Sequence, residues 1–329
     1  MSLMPHQVKI VEELNRGMRY VVAKPRTGKT RPVIKFLKGG NEILVLTKKA
    51  AIGGWHSELE AMGVEGWTVT NYEQVRSKNW DMAKRWDGLV LDEAHSLGKY
   101  PKPNLTVPII EKMLVNGPRI GVSATPCAES YSQLFHQAKA LRANVFGDYA
   151  SFYKWHKVYG IADKVRTAYG ERETYKKVKE GIFETFKRMA VVIDRQEAMV
   201  NFVEAKDHIV KLRDDDVSFL CKKLKRDKIV TMFGLDIVAE TPLAVAQKCQ
   251  QICAGVVLDD EGEKVFIHQL KADWAYEKFK GSRIAVLTGF KGEVDIFKRL
   301  PVSQTDDYLA FQRGEFQWFV GSWQRFARG

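Results

Sequence analysis

The stretch VVAKPRTGKT, residues 21–30, sets an apolar run before a loop ending in Gly28-Lys29-Thr30. The residues that follow, TRPVIKFLKGG, space their apolar side chains as a helix does. Strand, tight loop and helix form a cradle for a phosphate. Gly28 lets the backbone approach closely, Lys29 supplies a point charge, the Thr30 hydroxyl suits Mg²⁺, and the free N–H groups of the helix's first turn add positive potential. Arg26 and Thr27 complete the loop. The signature G-x-x-x-x-G-K-[ST] is met except at its first position, where Ala23 stands for glycine.

Outward from this loop, YVVAKP, EILVLT, GWTVTN, DGLVLDE and RIGVSATP are short β-rich runs alternating with helical segments such as WHSELEAMG. Alternation of this kind predicts a doubly wound α/β domain, a parallel sheet covered on both faces, over residues 1–140. Two of its strand ends carry chemistry. GLVLDEAH closes on Asp92-Glu93-Ala94-His95, about 60 residues after the loop. There Asp92 can hold Mg²⁺ through water, and Glu93 beside it can orient an attacking water. GVSATP offers Ser123 and Thr125, short hydroxyl side chains suited to hydrogen-bonding the Asp92–His95 loop. Lys29, Asp92 and Glu93 are the expected catalytic groups, and Thr30 and Asp92 the expected metal partners.

A formal net charge of +12 favours a polyanionic partner. Four cysteines are too few for a disulfide framework in 329 residues, and Cys249 and Cys253 have no second ligand pair to make a zinc site. No apolar run approaches the ~18 residues of a membrane span, and the N-terminus has no secretory apolar segment, so a cytoplasmic protein without a membrane partner is expected. From 141 to 264 the texture becomes aromatic, lysine-rich and mainly helical, and about half of the excess positive charge falls between Ser151 and Lys228. Phe152, Trp155 and Tyr159 recur at helical spacing, which favours core over a base-stacking platform. From 265 to 329 the α/β texture returns, with the strands SRIAVLTGF and FQWFVGS.

In order, AKPRTGKT, LDEAH and SATP resemble motifs I, II and III of superfamily 2 helicases and translocases. MPHQ resembles the glutamine motif, which implies that Gln7 reads an adenine edge. LVLTKKA and VTNYEQV resemble motifs Ia and Ib, which implies that Thr47, Lys48, Thr70 and Asn71 touch a nucleic-acid backbone. VVIDRQEAM and CQQICAGVV place the likeness in the Swi/Snf-like group, with short phage or prophage members. Arg26, where remodellers usually carry an apolar residue, departs from the pattern. The resemblance implies a P-loop NTPase of two RecA-like lobes, with a helical insertion at 141–264 and lobe 2 starting near Val265. It implies ATP and Mg²⁺ as cofactors, held by Gln7, Arg26, Thr27, Gly28, Lys29, Thr30, Asp92 and His95. It implies Ser123 and Thr125 as the coupling pair, and a monomeric motor on double-stranded DNA, single-stranded DNA or RNA being the alternatives.

DDYLAFQRGEFQWFVGSWQRFARG resembles the approach to motif V, with Gly329 as that motif's glycine. On this likeness the second lobe is incomplete, motif VI with its arginine finger lies beyond, and Mg-ATP is bound but hydrolysed slowly. Arg325 and Arg328 are weak substitutes for the finger, since both precede that glycine. Three other readings stand beside a duplex translocase: a strand-separating helicase, for which no wedge is identifiable in the sequence, a non-catalytic binding module, and an NTPase without a nucleic-acid role.

Overall fold

The computed structural model describes residues 3–167, 170–194, 196–198, 206–259 and 261–323. The chain divides into two compact units, Met1–Glu204 and Ala205–Gly329.

The first unit is built on six parallel strands: β1 (Tyr20–Ala23), β2 (Ile43–Thr47), β3 (Thr68–Asn71), β4 (Gly88–Asp92), β5 (Arg119–Ser123) and β6 (Ala190–Ile193). Their spatial order is β6-β1-β5-β4-β2-β3. Successive side chains of a strand point to opposite faces. Val21, Val45, Val90 and Ile120 therefore meet helices α1 (Pro5–Asn15), α2 (Thr30–Leu37) and α3 (Ile52–Ala61) in one buried cluster. Tyr20, Leu44, Leu89 and Leu91 meet α4 (Thr106–Lys112), α5 (Leu134–Ala140), α6 (Phe152–Tyr159) and α7 (Ile182–Lys187) in the other. The expected doubly wound sheet is present, and its five foremost strands fall where the sequence placed them.

The sixth strand departs from the expectation. Ala190–Ile193 pairs in parallel with β1, Tyr20 opposite Ala190, although the sequence reading assigned it to the inserted helical segment. The first unit thus gathers α5, α6, α7 and β6 into one core, and does not stop at 140. Phe152 and Trp155 are buried there, as helical spacing favoured. Asp163–Thr167 and Gly170–Thr174 form an antiparallel hairpin that the reading missed. Its residues are mostly charged and its second strand is largely exposed, so no apolar alternation marks it. Residues 206–213 form no strand.

The second unit opens with α8 (Asp215–Asp227), whose Asp214 caps the Val217 N–H. The strands Ile229–Met232 and Leu235–Val238 follow as a hairpin, then α9 (Pro242–Ala254). Pro at the first turn of α9 lacks an N–H that would be orphaned anyway, and Gly255 ends the helix at φ +88. After α10 (Leu270–Phe279) comes a three-stranded sheet, with Trp318–Ser322 lying between Ile284–Thr288 and Gln304–Thr305, parallel to both. Trp318 and Val320 are buried in its core, as the run FQWFVGS predicts.

Candidate nucleotide site

Apart from MPHQ, which opens α1, the motifs of the first unit come out at the carboxyl ends of its strands, the edge where open α/β sheets bind ligands. β1 delivers the loop Lys24–Lys29, β4 delivers Asp92, and β5 delivers Ser123. Arg26 and Gly28 both stand in the left-handed region, at φ +66 and +68, which strains the arginine and suits the glycine. A Cβ on Gly28 would lie 2.5 Å from Gln7 Nε2, so any larger residue would displace the Gln7 amide as well as strain the backbone. α1 braces the loop from outside. Gln7 Nε2 donates to the Gly28 carbonyl at 3.0 Å, His6 Nε2 lies 2.8 Å from the Thr27 carbonyl, and the Thr27 hydroxyl donates to Lys24 O. Gln7 Oε1 accepts the Met4 N–H. The Gln7 amide keeps one lone pair and one N–H, the pair an adenine edge needs.

Asp92 is nearly buried, and its carboxylate is divided between two tasks. Oδ2 accepts from the Thr47 hydroxyl at 2.8 Å and from the Trp55 indole N–H at 2.9 Å. Oδ1 accepts only the Glu93 N–H, at 3.0 Å, and keeps a lone pair for a further donor. The Tyr72 hydroxyl donates to the Asp92 carbonyl at 2.7 Å. Glu93 follows at φ +49, a left-handed turn that lifts its side chain off the strand axis toward the loop lysine. Its Oε1 stands 3.7 Å from Lys29 Nζ and its Oε2 3.1 Å from His95 Nδ1. A carboxylate offers only acceptors, so Nδ1 carries the hydrogen. The same Nδ1 is 3.0 Å from Ser123 Oγ, which also accepts the Thr125 N–H at 3.2 Å.

The His95 hydrogen bond, helped by Lys29 and Lys48, holds the Glu93 carboxyl below the usual glutamate range against the opposing effect of burial. Glu93 is therefore ionised at neutral pH. Behind Ser123, the network continues into the core. The Tyr20 hydroxyl donates to Gln137 Oε1 at 2.6 Å, and Gln137 Nε2 donates to the Pro126 carbonyl. Burial pushes the Tyr20 phenol well above its usual value, so it stays a donor.

The structure gathers Gln7, Thr27, Gly28, Lys29, Asp92, Glu93, His95 and Ser123 into one network, and Thr30 opens α2 at the loop's end. Arg26 is exposed on the loop, and Thr125 joins through its backbone alone. Two of the expected backbone contacts are turned inward to different degrees. Thr47 is fully buried and spends its hydroxyl on Asp92, so it presents nothing to a nucleic-acid backbone. Asn71 is nearly buried, and its Oδ1 caps the Glu73 and Gln74 N–H groups. Lys48 and Thr70 remain partly accessible. Arg325, Arg328 and Gly329, and Arg195 of the VVIDRQEAM segment, lie outside the described residues. Sequence reasoning missed Trp55, Tyr72, Tyr20 and Gln137, because an indole or phenol on an apolar face reads as core and no local pattern reveals its polar end.

Among the described residues no group of three or more His, Cys, Asp or Glu side chains is arranged to hold a metal alone. One carboxylate oxygen with an open lone pair, Oδ1 of Asp92, and one hydroxyl, that of Thr30, fit Mg²⁺, which keeps water and phosphate oxygens in its shell. No helix among the described residues is long and apolar enough to cross a membrane.

Among solved structures, the chain is similar to the Sulfolobus solfataricus SWI2/SNF2 ATPase core in complex with dsDNA, at 14% identity and a TM-score of 0.48, covering 98% of this chain and 78% of that one. It is likewise similar to the S. solfataricus SWI2/SNF2 ATPase core domain, at 15% identity and a TM-score of 0.48, covering 98% and 76%. No curated protein matches. Residues 44–254 match the model of the SNF2-related domain, a span that holds Asp92, Glu93, His95 and Ser123 and begins after the phosphate loop. With the acidic strand end inside that span and the loop brought against it by the fold, the chain belongs to the SNF2-related family of superfamily 2 ATPase motors.

Proposed function

We propose that this chain binds Mg-ATP at the Lys24–Thr30 loop and couples its hydrolysis to movement along double-stranded DNA. The observation that carries the reading is Glu93, an ionised carboxylate held between Lys29 and His95. The exposed backbone of the loop and Lys29 would cradle the phosphates, and Gln7 would take the adenine edge with its unspent lone pair and N–H. Thr30 and the free Oδ1 of Asp92 would hold the metal, which supplies charge neutralisation at the phosphates. Glu93 accepts a hydrogen bond from the attacking water and then its proton. His95, sharing its N–H between Glu93 and Ser123, lets a change at the β5 end reach the catalytic carboxylate. Family membership, the net charge of +12 and the accessible Lys48 and Thr70 support nucleic acid as the track.

Steady-state ATP hydrolysis by the 329-residue chain, with and without duplex DNA and beside Glu93→Gln, tests the reading. DNA-stimulated turnover that the substitution abolishes supports it. Nucleotide binding with no turnover above the Glu93→Gln control would reduce the chain to a binding module.

A further inference from the structure

The hairpin of the second unit turns at Phe233-Gly234, between Met232 and Leu235, which pair across it. Both turn residues are left-handed, at φ +52 and +79, the type I′ turn that twists with its strands and favours Asn-Gly. Phenylalanine is a poor residue for that first position, since its Cβ crowds the backbone there. Nothing local compensates: Phe233 is 74% exposed and outside the buried clusters. The hairpin beneath it is well seated. Val230, Met232 and Ile237 pack with Leu224 of α8 and Val245, Cys249 and Ile252 of α9, and the Thr231 hydroxyl crosses to Asp236 at 2.6 Å. A rigid stem thus holds a large ring out in solvent, in a conformation that ring does not favour. Strain of this kind points to use rather than to folding.

The surroundings indicate the partner. The end of α8 that leads into the hairpin carries exposed Lys222, Lys225, Arg226 and Lys228, and its one acid, Asp227, is already paired with Arg226. Cations on the helix that runs into the hairpin, with an aromatic ring at the hairpin's tip, match a backbone of phosphates carrying a flat π-face. In a duplex those faces are covered by neighbouring base pairs and a wedge must first unstack them, so a single projecting ring stacks at least cost on an unpaired base. We propose that Phe233 is a stacking pin for an unpaired nucleic-acid base, with the α8 cations holding the adjoining backbone. The proposal rests on the nucleic-acid reading above, and adds a contact which that reading does not require.

The test measures binding of the full chain to a single-stranded oligonucleotide, a forked duplex and a blunt duplex, together with thermal unfolding. The variants are Phe233→Asn and Phe233→Trp. Asn-Gly suits the turn, so Phe233→Asn raises Tm by roughly 2–4 °C if the strain is real. The same substitution weakens single-strand and fork binding about five- to hundredfold and leaves blunt-duplex binding within about twofold. Phe233→Trp restores the lost affinity. A merely structural phenylalanine predicts no such opposition between stability and affinity. Unchanged single-strand and fork affinity in Phe233→Asn would overturn the pin and leave the tip to another kind of partner, and so would equal weakening on all three DNAs. A wild-type chain that binds none of them would overturn the nucleic-acid reading itself.

Discussion

Glu93 and Phe233 hold nearly the same backbone, φ +49 and +52, in a region that side chains rarely occupy, yet their settings are opposite. Around Glu93 every neighbour is engaged: Asp92 takes its N–H, His95 and Lys29 take its carboxylate, and Ser123 stands behind His95. Around Phe233 the stem is packed and the residue is largely exposed. The first strain is held by contacts within the chain, which aim a carboxylate at a fixed point. The second is held by a turn alone. The difference teaches that a strained residue already satisfied internally is positioned for a small, exact reactant, whereas one left bare is positioned for something that arrives.

The largest effect should come from the satisfied site. Glu93→Gln keeps the shape of the side chain but removes the acceptor that takes a proton. Turnover should fall by about 10²–10⁴ while nucleotide affinity stays within a few-fold. Equal loss of binding and turnover would mean that Glu93 organises the loop rather than the water, and the comparison with Phe233 would lose its catalytic half.

Gly28→Ala tests the loop next. The added Cβ meets Gln7 Nε2 and the left-handed backbone is penalised. Nucleotide affinity, read by a fluorescent analogue, should fall roughly 10- to 100-fold, with a destabilisation of about 1–2 kcal/mol. Unaltered affinity would show that the loop relaxes freely and that its strain has no role.

Trp55→Phe asks whether Asp92 owes its aim to α3. Removing the indole N–H leaves Oδ2 with Thr47 alone. The Mg²⁺ concentration needed for half-maximal nucleotide binding should rise about tenfold, with binding in chelator unchanged. A uniform loss with and without Mg²⁺ would make Trp55 a packing residue.

The parts legible in the sequence are those in which one segment carries the whole message. VVAKPRTGKT contains its strand, loop and helix, and DGLVLDE contains both the buried run and the acids that end it. Tyr20 shows the limit: its ring reads as core, and only the fold brings its hydroxyl to Gln137, 117 positions away. Thr47 was misread for a related reason. LVLTKKA marks a strand end, but the direction in which its last hydroxyl points depends on Asp92 of the neighbouring strand. The sixth strand, AVVI, falls in a run with strand-like texture, but its membership of the first sheet is decided by pairing with β1, about 170 positions earlier. Phe233-Gly234 lies between two four-residue runs, and nothing in that text says that the ring is bare.

The smallest effect concerns pH, and it probes whether the Glu93 network contributes to stability as well as to aim. The folded-state carboxyl titrates below its unfolded value, chiefly because of the His95 hydrogen bond. Its contribution is fully present above the unfolded value, about pH 4.3, and is lost as pH falls through the lower folded value. The difference in Tm between the wild type and Glu93→Gln, at most roughly 2 °C after solvent screening, should be level above about pH 5.5 and close below about pH 4. A gap that stays level down to about pH 3 would show that the Glu93 carboxylate adds nothing to stability. Neither Phe233 nor Gly234 titrates, so Phe233→Asn should shift Tm equally across the same range. A pH-dependent shift there would show that the tip is not the isolated apolar element its surroundings describe.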